Sequence, residues 1–197
     1  MKFILSSALL FLCFSAPSLA VNLVLTKTSL GKLKLSQNSM ISFKKIKEAF
    51  PQFIVEHEIA SGDSPDFHYI TVQNKHKELL FYLISYFDEK VNKDTIKYDI
   101  DLLKITSSKI VDSYGIRVGD RVSKVVKIRG SNLNIGANHF DNAIGKDKTF
   151  YQVTVEPSEA LKKKGLDYIN PEEVTLDQIL KKNPEVTSIS WPYPSWD

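Results

Sequence analysis

His57 and His68 flank the run Ser61-Gly62-Asp63-Ser64-Pro65, a dense turn signal. If residues 61–64 close a hairpin, the two imidazoles stand directly opposite each other on one face, about 5 Å apart at Cβ. Asp66 or Asp63 would add a carboxylate. Two histidines and a carboxylate form a donor set for Zn²⁺ with an open position. The plainer alternative is a pair of surface histidines among Glu56 and Glu58. No HExxH-like spacing supports the metal, so the expectation is no cofactor.

Two other clusters carry groups suited to binding. His139, Phe140 and Asp141, between Asn138 and Asn142, combine an aromatic ring with donors and acceptors in a long polar stretch from Leu133 to Lys148. Loops of that kind often carry function on a rigid framework, and often simply vary. The tail Trp191-Pro192-Tyr193-Pro194-Ser195-Trp196 places Trp191, Tyr193 and Trp196 between prolines, which favour an extended chain. Those rings either dock on a glycan or a partner groove or cover the protein's own core. Signals for catalysis are poor. Ala60-Ser61-Gly62 lacks the glycine spacing of a nucleophile elbow, and no phosphate loop, redox cysteine pair or EF-hand loop occurs. Asp99 and Asp101 flank Ile100 in a solvent-facing alternation unsuited to acid–base work.

The elements that must position these groups read as α+β: an antiparallel meander with a few short helices packed on one face. Val21 to Leu35 alternates loosely and suggests a short hairpin. Ser42 is a helix N-cap, Phe43, Ile46 and Phe50 share one helical face, and Pro51 stops the turn. From Gln52 to Ile105 the pattern predicts four strands: Phe53 to Ala60, Phe67 to Val72, the nearly all-apolar Leu79 to Tyr86, and the alternating Ile96 to Leu102. Asp120 is placed to cap a second short helix whose apolar face is Val122, Val125 and Val126, ended by Gly130. Thr149 to Val155 predicts a strand. Asn170-Pro171-Glu172-Glu173 predicts a helix start, with Leu176, Ile179 and Leu180 as its buried stripe. Asn183-Pro184 ends that helix before a final strand from Val186 to Trp191. The units Ser42–Pro51 and Asp120–Gly130 share a form. Few residues define a helix start, so ordinary likeness is favoured over a degenerate duplication.

The chain opens on Met1-Lys2, an apolar run from Phe3 to Phe14, and small residues at Ser18 and Ala20. That order predicts a secretory signal peptide over residues 1–20, cleaved near Ala20. The run is too short to serve as a membrane span. The only cysteine, Cys13, follows the bulky Leu12, so lipidation and an outer-membrane lipoprotein are not expected. Residues 21–197 then form a single thiol-free domain, periplasmic or secreted, without a transmembrane segment and expected to be a monomer. The net charge is +3, from short lysine clusters such as Lys162-Lys163-Lys164. These lack interleaved aromatics, which argues against nucleic acid as a partner.

Several pieces in order resemble one family: Ala49-Phe50-Pro51, the hairpins after it, Gly115-Ile116-Arg117-Val118-Gly119-Asp120, and Val186-Thr187-Ser188-Ile189-Ser190-Trp191. Together they are similar to the RpoE-regulated lipoprotein family of Gram-negative envelopes, a domain of unknown function, over about residues 41 to 191. The resemblance implies an α+β fold and an envelope-stress setting, and supplies no catalytic residues. Members are typically lipidated, which this chain is not expected to be. The reading is therefore a non-enzymatic envelope module that binds a partner or supports envelope integrity. Its rivals are an envelope hydrolase using a histidine, and a secreted inhibitor acting through the loop or the tail.

Overall fold

A computed structural model describes residues 23–36, 41–61, 66–86, 97–137, 142–154 and 174–192. Ser42 opens the first helix, α1 (Phe43–Ala49), by accepting a hydrogen bond from the Lys45 amide, as its side chain predicts. Phe43, Ile46 and Phe50 are buried, while Lys44, Lys45 and Lys47 face water. The Phe50 ring meets Phe81 edge-on at 5.0 Å, which ties the helix to the sheet beneath it. The chain then runs through β5 (Ile54–Ala60), β6 (Phe67–Gln73) and β7 (Leu79–Tyr86), each antiparallel to the one before.

The fourth strand of this meander is β9 (Leu102–Ile105), and Ile96 to Leu102 does not supply it. The alternating stretch instead holds β8 (Lys97–Tyr98), which pairs with β4 (Ile41–Ser42) just ahead of α1, and reaches β9 only at Leu102. A period of two specifies an extended chain and leaves its neighbour open. The switch comes at Asp101: its amide donates to the Ile84 carbonyl and its carboxylate accepts from the Tyr86 amide at 2.8 Å.

The second helix, α2 (Val122–Arg129), buries Val122 and Val125 and ends at Gly130, whose φ of 84° suits glycine. Asp120 does not cap it. The N-cap is Arg121, without a side-chain bond, while the Asp120 carboxylate accepts from the Arg117 amide and pairs with Lys124. The polar stretch after Leu133 is largely strand: β11 (Asn134–Ala137) and β12 (Asn142–Lys146) form a hairpin that continues into β13 (Thr149–Val153). The helix α3 (Leu176–Lys182) carries a capping box of Thr175 with Gln178 and buries Ile179; residues 170–173 lie outside the described residues. Asn183 ends it in the left-handed region, and β14 (Val186–Trp191) follows.

The main sheet has the order β11-β12-β13-β14-β9-β7-β6-β5. Its two halves have the same form. In each, a short helix leads into four antiparallel strands: α1 into β5, β6, β7 and β9, and α2 into β11, β12, β13 and β14. The last strands of the two halves pair with each other, so the outermost strands are β5 and β11. Each helix is also preceded by a short antiparallel pairing to the residues just ahead of its half's last strand: Ile41–Ser42 with Lys97–Tyr98, and Arg121 with Glu185. The likeness of Ser42–Pro51 and Asp120–Gly130 is thus part of an internal repeat of topology, not the chance resemblance of two helix starts.

A smaller sheet, β10-β1-β2-β3, is built from β1 (Val24–Leu25), β2 (Ser29–Leu30), β3 (Leu33–Lys34) and β10 (Val111–Asp112). The hairpin foreseen before Leu35 is β2 and β3, turning at Gly31 and Lys32. One row of inward side chains crosses all eight strands of the main sheet: Ile135, Ile144, Tyr151, Ile189, Ile105, Phe81, Val72 and Val55. Most of this row belongs to one hydrophobic cluster with the buried faces of the helices and the leucines of the smaller sheet. Among the described residues, no helix is long and apolar enough to cross a membrane.

Candidate binding face

The hairpin of β5 and β6 closes with Ala60 opposite Phe67, so His57 lies opposite Ile70 and His68 opposite Ile59. The histidines are diagonal neighbours, one pair step from the expected register. They still meet: His57 Nε2 and His68 Nδ1 are 2.8 Å apart, a ring-to-ring hydrogen bond. Two nitrogens bound to one zinc would stand about 3.4 Å apart, given roughly 2.1 Å bonds at a tetrahedral angle. At 2.8 Å the two nitrogens share a hydrogen bond and stand closer than a zinc-bound pair would. Asp66 accepts a hydrogen bond from the Ser61 hydroxyl at 2.8 Å. Among the described residues no group of three metal-binding side chains is assembled. Burial, and secondarily the His57 ring, lower the His68 pKa to about 4, so this imidazole is neutral at physiological pH.

On the opposite face of the same strands, alternate positions carry a patch of rings. β6 turns Phe67, Tyr69, Thr71 and Gln73 outward, while His68, Ile70 and Val72 point into the core. β7 turns out Tyr82, Ile84 and Tyr86 opposite Phe81, Leu83 and Ser85. The rings touch in a chain: Tyr82 to Tyr69 at 5.1 Å between centroids, Tyr69 to Phe67 at 6.4 Å, and Phe67 to Tyr86 at 5.8 Å. Tyr86 is 52% exposed and the other three rings are half-buried. Burial and the neighbouring tyrosines push the Tyr82 hydroxyl up to about 12, and burial with the Glu58 charge raises Tyr69. Both phenols are neutral and able to donate. The corresponding outward positions of the second half, Ala143 and Gly145 of β12 and Phe150 and Gln152 of β13, are all buried. The two halves of the sheet thus differ on this face.

A cleft of about 550 Å³ runs beside the outermost strand β5, lined by Phe43 and Lys47 of α1 together with Glu56, Glu58, Tyr69 and Gln73. Its mouth joins the ring patch at Tyr69. A second polar cluster among the described residues ties elements together. Asp112 of β10 is buried; one of its oxygens accepts from the Tyr114 and Ile116 amides, and the other accepts from the Tyr151 hydroxyl. Arg129 donates to the same hydroxyl at 2.7 Å and lies 4.0 Å over the Tyr114 ring. This cluster pins the smaller sheet and α2 to β13.

Trp191 does not begin an extended tail. It is the last residue of β14, fully buried, and its indole N–H donates to the Lys27 carbonyl at 3.0 Å. His139, Phe140, Asp141, Tyr193 and Trp196 lie outside the described residues. The ring patch itself escaped the sequence reading, because an all-apolar β7 looks like a strand buried on both faces. The usable signal was the tyrosines at Tyr69, Tyr82 and Tyr86, since a phenol buries its ring while keeping its hydroxyl wet.

No family model matches the chain, and none of the curated proteins matches it. Among solved structures the fold is similar to that of the uncharacterized protein yfeY from Escherichia coli. The TM-score is 0.55 with 14% sequence identity, covering 86% of this chain and 99% of that one. At this identity the likeness concerns the fold alone.

Proposed function

We propose that this chain is an exported envelope protein of the RpoE-regulated lipoprotein type, acting without catalysis as a binding module through the outer face of β6 and β7. The observation that carries the reading is the connected patch of Phe67, Tyr69, Tyr82 and Tyr86 on the outward side of a sheet whose other side is packed. Exposed aromatic rings in contact with one another are unusual on a surface that has no partner. Export is supported by the charged, apolar and small-residue order of residues 1–20. The envelope setting is what the family resemblance implies.

The test uses the native chain in the bacterium that encodes it. The recovered protein begins at Val21 and fractionates with the periplasm. A deletion strain is sensitive to detergent, and both the wild type and His57→Ala restore it. Tyr69→Ser combined with Tyr86→Ser, produced at the same level, does not. Restoration by the double variant, a deletion strain without envelope sensitivity, or cytosolic protein beginning at Met1 each counts against the proposal.

A further inference from the structure

β5 ends the order of the main sheet and pairs only with β6 among the described strands. An edge strand offers a row of main-chain donors and acceptors to any extended chain of suitable side chains. The side chains of β5 differ sharply by face. Outward are the exposed Glu56 and Glu58, between Ile54 and Ala60; inward are the half-buried Val55 and His57 and the 39% exposed Ile59. The cleft walled by Phe43 and Lys47 of α1 follows this edge and is lined by Val55 and His57 of the inward side and by Glu56 and Glu58 of the outward side.

We infer that β5 adds an extended peptide segment whose outward side chains are lysine or arginine and whose inward side chains are apolar. This deepens the binding-module reading by naming a second surface and its ligand class, and it rests on that reading. The charges select the occupant. Cross-strand neighbours on one face stand about 5 Å apart, where opposite charges attract and like charges repel. Cations on the added strand would face Glu56 and Glu58. Lys47 on the inner wall disfavours a cation on that side, and Val55, Ile59 and Phe43 suit apolar groups there. The same rule disfavours a second copy of the chain in the register that pairs β5 over its full length. Antiparallel pairing of β5 with itself about His57 would set Glu56 against Glu58 of the other copy, a like-charge contact at the centre of the joint.

The probe is a seven-residue peptide alternating lysine and valine, blocked at both ends, titrated onto the mature chain by calorimetry. A peptide of the same composition with its lysines in one block is the control for charge alone. The alternating peptide binds at least ten times more tightly than the block peptide, and it slows amide exchange in β5. Glu56→Lys with Glu58→Lys weakens it at least tenfold and confers binding of the glutamate–valine counterpart; Glu56→Gln with Glu58→Gln gives an intermediate loss. Equal binding of the block peptide, absence of binding, or slowed exchange away from β5 would overturn the inference. Because Tyr69→Ser with Tyr86→Ser leaves the β5 backbone and its glutamates in place, loss of peptide binding and loss of envelope complementation can be scored separately.

Discussion

At the scale of single residues, the histidine dyad shows how a sequence spacing can bring two side chains together without fixing their register. His57 and His68 were legible as neighbours because a turn signal lies between them, and they do touch at 2.8 Å. Whether they face a ligand or each other depends on a register that the turn residues leave open. The consequence is a pH dependence of stability. His68 titrates near 4 when folded, below its ordinary value of 6.5. The unfolded chain therefore binds the proton more readily, and stability falls as the pH drops from about 6.5 toward 4. The expected outcome is a denaturation midpoint that declines across this window in the wild type and declines less in His68→Phe. A His68→Phe curve parallel to that of the wild type would show that the buried imidazole is not responsible.

Among the secondary-structure elements, α2 departs most clearly from its sequence signals. Asp120 sits where a cap belongs, yet the cap arrives from 60 residues away: Asn183 Oδ1 accepts from the Ser123 amide at 2.9 Å. The Val122 amide donates to the Pro184 carbonyl at 3.0 Å. These bonds satisfy first-turn amides that have no partner within the helix. Asn183 also holds φ at 45°, a conformation asparagine tolerates better than alanine. Asn183→Ala is therefore expected to lose about 1–2 kcal/mol, since it removes a cap and strains the turn. Asn183→Gly relieves the strain and should lose less, whereas Asp120→Ala, a partly exposed pair, should lose about 1 kcal/mol or less. Urea denaturation of the three variants checks this order, and a larger loss for Asp120→Ala would return the capping role to that residue.

Across the whole molecule, the seam between the halves is the pairing of β9 with β14, where Trp191 lies opposite Leu103 and reaches Lys27 of the region linking β1 to β2. The smaller sheet also bridges the repeat, since β10 lies just before α2 in sequence yet runs parallel to β1 at the start of the chain. The halves therefore share one core and are expected to unfold together. Trp191→Ala, which empties the largest fully buried side chain, should lose about 3–5 kcal/mol. Hydrogen exchange provides the check: amides of β6 and of β12 should lose protection in the same step, and protection retained by one half alone would show the repeats to be separable. This joint core also explains why the repeat supports two different outer faces. Packing against the shared core requires apolar inward rows in both halves, while the outward positions are buried in one half and form the partly exposed ring patch in the other.

Much of the fold follows from local chemistry that any short window carries. Ser42 caps, Pro51 and Gly130 stop, and the apolar run of β7 marks a strand, because these preferences act over short stretches of chain. The α+β class was legible for the same reason. Partners distant in sequence were not. The pairing of β8 with β4 instead of β7, the cap supplied by Asn183, the burial of Trp191 and the joining of β9 to β14 all depend on which surfaces meet after collapse. A period-two pattern reports only that a strand has two sides; the rest of the fold determines which side is covered, and so left the rings of Phe67, Tyr69, Tyr82 and Tyr86 facing outward.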